Sequence, residues 1–243
     1  MNILKEIKLI FQRKKALDEI YDDLKNLDEV FLEKRIQIFN EIATPKFAEI
    51  GLKNWNGKYI WFSDYNNEGI KHVVEYNVFK NFGGSFSFGN CFNFVPTISS
   101  NAKLVYHKTD KSTKLLYYKQ LEGWKKSYEE HLPLNIDRIS TINEEKFKRS
   151  LNDVLERNLP KFKIWFDNNQ TREENISSLL IERKNEKRGF AQRTISFDYL
   201  LCFIFAELKD YNTSIKFLKS HFDRNLNDEN EQNILQEKIK NFC

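Results

Sequence analysis

Apolar residues at the beginning of the chain recur every three or four positions, with charged residues between them. The apolar positions are Ile3, Ile7, Ile10, Leu17, Ile20, Leu24, Leu27, Phe31, Ile38 and Ile42. This spacing places their side chains on one face of a helix, which is typical of a helix that covers a core. We therefore predict one long helix or two shorter ones over residues 1–42. Thr44-Pro45 interrupts the pattern, although Pro45 can itself open a short helical turn that runs to Gly51.

Between residues 55 and 118 the pattern changes to an alternation of apolar and polar positions, which is the period of a β-strand. The predicted strands cover residues 58–63, 70–80, 85–95, 102–107 and 114–118. The segments between them are short and contain the Gly, Pro, Asn and Asp residues that favour turns. Because such short connections cannot hold crossover helices, they predict an antiparallel meander of about five strands.

The third predicted strand carries an unusual pattern, SFSFGNCFNFVP over residues 85–96. One face carries Phe86, Phe88, Phe92 and Phe94, and the other carries Ser85, Ser87, Cys91 and Asn93. We expect the phenylalanines to fill the core and the small residues to leave a flat, open face where a partner docks. Asn90 shares the phenylalanine face, so it either turns outward at a bulge near Gly89 or makes a buried hydrogen bond.

Helical periodicity returns after residue 124. Thr141 with Glu144, and Thr171 with Glu174, have the spacing of a capping box, which predicts a helix from about residue 143 and another that ends at Gly189. Pro160 is compatible with the start of a further helical segment. Residues 196–223 predict a helical hairpin, and residues 229–242 predict a last helix.

The predicted fold class is α+β, with the meander covered by N-terminal and C-terminal helices and the chain ending in the helical hairpin. The expected organisation is a helical segment over residues 1–42 and an α+β domain over 43–190. Residues 191–243 then form the hairpin and last helix, packed on the same body.

Composition, cysteine spacing and the length of apolar runs indicate the cellular compartment and the class of protein. The chain has 243 residues, of which 40% are hydrophobic and 30% charged, as expected for a folded protein. Cys91, Cys202 and Cys243 show no paired spacing, which predicts a reducing compartment without structural disulfides. No apolar run approaches the about 20 residues that span a bilayer, so we expect a cytoplasmic protein that is not inserted in a membrane.

A search for catalytic chemistry yields no candidate residues. The glycines at 83, 84 and 89 do not form a phosphate-binding GxGxxG motif, and the four histidines lack metal-ligand spacing. A loose nuclease pattern of Asp64, Glu182 and Lys184 fails because Glu182 is expected on a helix rather than on a strand beside the aspartate. We predict no catalytic residue, no metal site and no cofactor, although an enzyme site assembled from distant residues stays open.

One electrostatic feature stands out over residues 103–126. Its lysines are at positions 103, 108, 111, 114, 119, 125 and 126, and Asp110 and Glu122 are the acidic residues among them. On a hairpin, these cations and the interleaved aromatic rings would form a surface able to meet phosphates or an acidic protein patch. The alternative is an edge hairpin whose lysines block strand-to-strand aggregation. The candidate partner-binding residues here are Lys103, Tyr106, Lys108, Lys111, Lys114 and Tyr118.

The order of elements resembles a known family. A helix leads into FNEIATPKFAEIGLKNWNGKYIWF (39–62), a turn follows, and then comes IKHVVEYNVFKNFGGSFSFGNCFNFVP (70–96). This order is similar to the domain of unknown function catalogued as number 4304, and the similarity covers residues 30–220. The chain departs from the family at Leu52, where the family prefers Phe, and at residues 89–91, where it often has Asn-Leu-Gly.

The resemblance implies a bacterial, cytoplasmic protein without established enzyme activity. Family members often look like immunity or antitoxin genes beside toxins or in defence islands. We therefore expect a non-enzymatic immunity protein that neutralises a bacterial toxin, or an accessory of a defence system, acting through protein–protein binding. The alternative function is a nucleic-acid-binding module that uses the Lys/Tyr-rich segment 103–126.

Overall fold

A computed structural model describes residues 27–79, 83–99, 103–121, 137–185, 195–224 and 229–240, together with residues 7, 10, 11, 14 and 25. The architecture is mixed α+β with an antiparallel sheet of about five strands, which confirms the predicted fold class. The predicted C-cap at Gly189 lies outside the described residues.

The first continuous helical run crosses the predicted interruption at Thr44-Pro45. Helix α1 (Leu32–Ile38) passes through a π-helical turn (Phe39–Ala43) into α2 (Thr44–Glu49), so the helix ends near residue 49. Pro45 lies in the first turn of α2. Gly51, which follows the run, has a φ of 93° and suits the left-handed conformation that closes a helix.

The core-covering role predicted for the N-terminal face is only partly confirmed. Ile38 is fully buried, but Ile7 and Ile10 are 45% and 62% exposed. Phe11 beside them is 69% exposed. The predicted burial is wrong at Ile7 and Ile10, because periodicity shows which residues share a face and not what covers that face.

The main sheet has the strand order β1-β2-β3-β4-β7, and β8 also pairs with β4. Its strands are β1 (Asn54–Trp55), β2 (Ile60–Phe62), β3 (Ile70–Phe79), β4 (Gly83–Phe92), β7 (Tyr117–Gln120) and β8 (Ile139–Ser140). Antiparallel register places Trp61 opposite Val74 and Gly84 opposite Ile139. The short strands β1 and β8 were not predicted.

A separate two-stranded sheet pairs β5 (Thr97–Ile98) with β6 (Leu104–Val105). The predicted strand at 102–107 is therefore not a member of the main meander, and the lysine-rich segment does not form one hairpin. Between β6 and β7 the chain makes a 3-10 turn at Asp110–Ser112.

Five helices follow in the described chain. They are α3 (Glu144–Asp167), α4 (Arg172–Asn185), α5 (Phe197–Glu207), α6 (Tyr211–Arg224) and α7 (Glu229–Lys240). Helices α5 and α6 form the predicted hairpin, and Lys209 in their connection has a φ of 61°. None of the helices in the described part of the chain has the length and apolarity needed to cross a bilayer.

The two predicted capping boxes have different outcomes. Thr171 and Glu174 form the box, since Glu174 N donates to Thr171 Oγ1 at 3.2 Å and Thr171 N donates to Glu174 Oε2 at 2.9 Å. The first box is wrong, because Asn143 Oδ1 accepts from Lys146 N at 2.9 Å and thus caps α3. Thr141 is fully buried instead.

Pro160 lies inside α3 and does not begin a new helical segment. Its neighbours Leu155 and Phe162 on the same helix are both fully buried. Tertiary packing therefore carries the helix through the proline, overriding the local preference for a break.

The chain divides into two compact units, and each is assembled from several stretches of sequence. The first unit contains Met1–Ser63, Val73–Phe88 and Tyr118–Ile164, and the second contains Asp64–His72, Gly89–Tyr117 and Trp165–Cys243. In the first unit, the Phe39 ring makes edge contacts with Trp61, Tyr76 and Phe147 at centroid distances of 4.9–5.4 Å. Aromatic side chains therefore build its core, as the abundance of phenylalanine suggests.

Candidate functional site

The open face predicted on β4 is not open. Ser85, Ser87 and Cys91 are 4%, 3% and 0% exposed, because every residue of β4 is buried and both faces of the strand are covered. The expectation that these residues form an exposed floor is therefore wrong. The predicted burial of Phe86, Phe88, Phe92 and Phe94 is confirmed.

The hydroxyl groups of the two serines make hydrogen bonds within the first unit. Ser85 Oγ donates to the Asp137 carbonyl at 2.7 Å, and Ser87 Oγ accepts from Asn77 Nδ2 at 2.8 Å. A small pocket beside them is lined by Asn77, Phe79, Ser85, Phe86, Ser87, Gln120 and Leu121. None of these lining residues titrates near neutral pH, so they supply no general acid or base to the pocket.

The sequence left open whether Asn90 turns outward at a bulge or makes a buried hydrogen bond. Asn90 is fully buried and hydrogen-bonded. Its Nδ2 donates to Asn175 Oδ1 at 2.8 Å and to the Asn169 carbonyl at 3.1 Å. Its Oδ1 lies 2.7 Å from His72 Nδ1, so this nitrogen carries the proton of the imidazole. The cluster ties β3, β4 and the start of α4 together inside the second unit.

Burial favours the neutral forms of His72, Cys91 and Cys202. Burial lowers the pKa of His72, whose ring stacks on Phe166 at a centroid distance of 4.6 Å. Burial also raises the pKa of the Cys91 thiol, and it raises the pKa of Cys202 to about 11. At neutral pH both thiols therefore carry their protons, and a thiol is a poor nucleophile in that form. Among the described residues, no group of His, Cys, Asp and Glu side chains could hold a metal ion.

The exposed cations lie on residues 103–114, which we call the lysine loop. Lys103, Lys108, Lys111 and Lys114 are all exposed, and none of their ammonium groups forms an ion pair within the described part of the chain. Lys108 Nζ lies 5.4 Å from the centroid of the half-buried Tyr106 ring. All four lysines lie outside β6 and β7. The loop therefore presents four ammonium groups to solvent.

The lysine loop is fixed from within by His107. Its Nδ1 donates to the Ser112 carbonyl at 2.7 Å, and its Nε2 lies 3.1 Å from Thr97 Oγ1. The Tyr65 hydroxyl donates to the His107 carbonyl. A reciprocal capping box between Thr109 and Ser112 closes the 3-10 turn. These bonds tie the loop to β5 and to the segment before β3.

A second anchor, Lys71 in β3, lies beneath the lysine loop. The Lys71 side chain is 1% exposed, and its Nζ lies 2.7 Å from Asp110 Oδ1 and 3.3 Å from Thr113 Oγ1. The ammonium group also lies 4.4 Å from the centroid of the Tyr65 ring. The Tyr65 hydroxyl in turn lies 3.3 Å from Cys91 Sγ. Cys91, expected on an open face, thus belongs to the support of this loop.

The structure separates the predicted partner-binding residues. Ser85, Ser87 and Tyr118 belong to the first unit, and Cys91, Asn93, Lys103, Tyr106, Lys108, Lys111 and Lys114 belong to the second. Asn93 is half-buried and its backbone N–H donates to the Gly69 carbonyl at 3.0 Å. The four lysines and Tyr106 therefore lie in one unit, on the lysine loop, while Ser85, Ser87 and Tyr118 lie in the other.

Sequence reasoning missed three contributors to this site. Lys238 of α7 places its Nζ 5.7 Å from the Tyr106 centroid, and Tyr65 and Lys71 support the loop from below. Lys71 looks like a solvent-facing residue of an alternating strand, so the pattern gave no sign of its burial. Lys238 is distant in sequence, and only the three-dimensional structure brings it to Tyr106.

Comparisons with family models, curated proteins and solved structures give no match. The resemblance to the domain of unknown function number 4304 thus stays a prediction that rests on the residues quoted for it.

Proposed function

We propose that the protein is a non-catalytic binding protein whose lysine loop docks on an acidic surface of a protein partner. The observation that carries this proposal is the combination of four exposed lysines, none of them in an ion pair with a described residue, with a loop that is already anchored. Positive charge accelerates encounter with an acidic surface, and a fixed loop loses little conformational entropy on binding.

The position of the lysines supports binding over protection of a strand edge. Lysines that block aggregation lie along an edge strand, where they face an approaching strand. Here Lys103 precedes β6, while Lys108, Lys111 and Lys114 lie between β6 and β7. Their charge is thus concentrated on the connection between strands.

The burial of the Tyr106 ring and its contacts with cations favour a protein partner over nucleic acid. Bases of single-stranded nucleic acid stack on open aromatic faces. The Tyr106 ring is half-buried, and the ammonium groups of Lys108 and Lys238 both lie within 6 Å of its centroid. The ring is therefore engaged by cations, while Lys103, Lys111 and Lys114 remain open to carboxylates.

We further propose, on the family resemblance alone, that the partner is a bacterial toxin or a component of a bacterial defence system. Neutralisation by tight stoichiometric binding requires a rigid complementary surface and no catalytic group. The basic character of the lysine loop favours a partner with a neutral or acidic site over a strongly basic nuclease.

The test uses the gene that lies beside the gene of this protein in the genome. Co-purification from cells that express this neighbouring gene tests binding, and restored growth of those cells tests neutralisation of its product. A variant with Lys103, Lys108, Lys111 and Lys114 changed to Glu is compared with a control in which the exposed Lys53, Lys58, Lys216 and Lys219 are changed to Glu. Both variants undergo the same change in net charge. We expect the loop variant to lose the partner and the rescue, and the control to keep both.

Equal loss in the two variants would show that only net charge matters, and would refute a specific role for the loop. A gel-shift series in rising salt tests the nucleic-acid alternative. A phosphate-driven contact at the loop shifts at low salt and weakens steeply as salt rises. A shift of this kind that disappears only in the loop variant would replace the protein-partner proposal.

A further inference from the structure

Asp110 is the only carboxylate on the lysine loop, and its Oδ1 lies 2.7 Å from the ammonium group of the buried Lys71. The side chain of Asp110 is 65% exposed, whereas that of Lys71 is 1% exposed. The ion pair therefore joins a solvent-facing loop residue to a lysine in the interior of β3. Thr113, on the far side of the 3-10 turn, accepts a second hydrogen bond from the same ammonium group at 3.3 Å.

We infer that Lys71 and Asp110 are positioning residues for partner binding, which hold the lysine loop in its binding conformation without contacting the partner. This inference rests on the proposed function of the loop. A buried ammonium is costly without a nearby carboxylate, so the closed position of Asp110 is favoured by the desolvation of Lys71. The conformational entropy lost in ordering the loop is then lost during folding and not when the partner binds.

The pair also controls the electrostatics of the loop. The Lys71 charge offsets that of Asp110, so the field of Lys103, Lys108, Lys111 and Lys114 is not reduced by the one acidic residue among them. Without the Lys71–Asp110 ion pair, the loop would change position, and the Asp110 carboxylate and the four lysines would move with it.

Asp110→Asn separates positioning from simple charge. This substitution makes the loop more positive, so binding governed by charge alone becomes tighter toward any polyanion. Positioning predicts the reverse, because the amide no longer holds the Lys71 ammonium. We expect Asp110→Asn to bind a poly-glutamate peptide about fivefold more weakly than the wild type. Asp153→Asn, at an exposed position of α3, is the matched control and should bind no more weakly than the wild type.

Lys71→Met provides the second variant, since it removes the buried charge and keeps a long apolar side chain. If the two residues act as one unit, the double variant Lys71→Met/Asp110→Asn binds about as weakly as either single variant. Thermal melting of all variants, followed by far-UV circular dichroism, shows which of them are folded at the temperature of the binding assay.

Hydrogen exchange tests the positioning without any ligand. Ser112 N–H and Thr113 N–H donate to the carbonyls of Thr109 and Asp110 at 3.0 and 3.1 Å. We expect both amides to exchange about tenfold faster in Asp110→Asn and in Lys71→Met than in the wild type and in Asp153→Asn.

The two claims can fail separately. If the wild type does not bind poly-glutamate, the proposed function of the loop fails, and the exchange rates still decide whether the pair orders the loop. If the wild type binds and Asp110→Asn binds equally or more tightly, the positioning inference is overturned. Unchanged exchange at Ser112 and Thr113 in both variants overturns it as well.

Discussion

Asn90 in β4 and Asn175 in α4 are 85 residues apart in sequence, and a buried hydrogen bond of 2.8 Å from Asn90 Nδ2 to Asn175 Oδ1 joins them. Asn175 Nδ2 donates in turn to the Asn169 carbonyl at 2.9 Å and to the Thr171 carbonyl at 2.8 Å. One side chain thus links the strand to the turn that opens α4. Because Asn90, Asn169 and Asn175 are buried, removal of one of their side chains takes a hydrogen-bond partner from buried polar atoms.

Asn90→Ala is expected to lower the free energy of unfolding by about 3 kcal/mol, because it removes a hydrogen-bond partner from the half-buried His72 and from the buried Asn175. Urea denaturation measures the loss. Asn212→Ala, at an exposed position of α6, should change it by less than about 0.5 kcal/mol. Equal losses in the free energy of unfolding for Asn90→Ala and Asn212→Ala would contradict a stabilising role of the Asn90 cluster.

Stability should fall in mild acid because of His72. Burial lowers the pKa of this imidazole below its usual value of about 6.5. The unfolded chain then binds more protons than the folded chain just below that value, so the free energy of unfolding decreases as pH falls from about 7 to 5. His72→Asn retains a donor toward Asn90 and does not titrate, and its stability should depend less steeply on pH. An identical slope in wild type and variant would assign the acid sensitivity to other groups.

Gly84 cannot carry a side chain in this fold. A Cβ atom at this position would lie 2.3 Å from Tyr76 Cζ and 2.5 Å from the Asn77 carbonyl oxygen. Gly84→Ala should therefore destabilise the protein by about 3 kcal/mol, measured as a shift of the denaturation midpoint. Gly57 has a φ of 77° with no atom within 4 Å of such a Cβ, so Gly57→Ala should cost only about 1 kcal/mol of backbone strain. The reverse order of the two losses would refute the steric account.

Arg183 and Asp198 form an asymmetric ion pair, since their side chains are 27% and 1% exposed. Arg183→Met leaves a buried carboxylate, whereas Asp198→Asn leaves a guanidinium that can turn toward water. We expect a loss of about 3 kcal/mol for Arg183→Met and about 1 kcal/mol for Asp198→Asn. Equal losses in chemical denaturation would show that the exposure of Arg183 does not matter.

Local patterns predicted the elements that depend on neighbouring residues. The alternation at 70–80 and 85–95 located β3 and β4, and Thr171 with Glu174 marked the start of α4. Each of these signals involves residues within a few positions of one another. The helical hairpin at 196–223 was visible for the same reason.

Features that depend on distant partners were missed. The alternation of β4 separates two faces, but it does not show that both are covered, and so the serines were expected in solvent. The pairing of β6 with β5 was equally invisible, since a strand pattern does not name its neighbour. The sequence alone identified the four lysines and Tyr106 of the candidate site, because charged and aromatic residues are read directly from it. Their support by Lys71 and Tyr65 comes from tertiary structure.

The π-helical turn between α1 and α2 adjusts the phase of the helix. Phe39, Ala43 and Phe47 are fully buried and follow one another at steps of four residues. In a regular α-helix each such step overshoots a full turn by about 40°, so the last of the three would be rotated well away from the first. Thr44 N–H instead donates to the Phe39 carbonyl five residues earlier, which widens the turn and reduces the rotation per residue. The i→i+5 bond takes up one residue more than a regular α-helical turn, so deleting one residue here would restore regular winding and break the four-residue spacing of these three side chains, a structural constraint that hydrophobicity alone does not express.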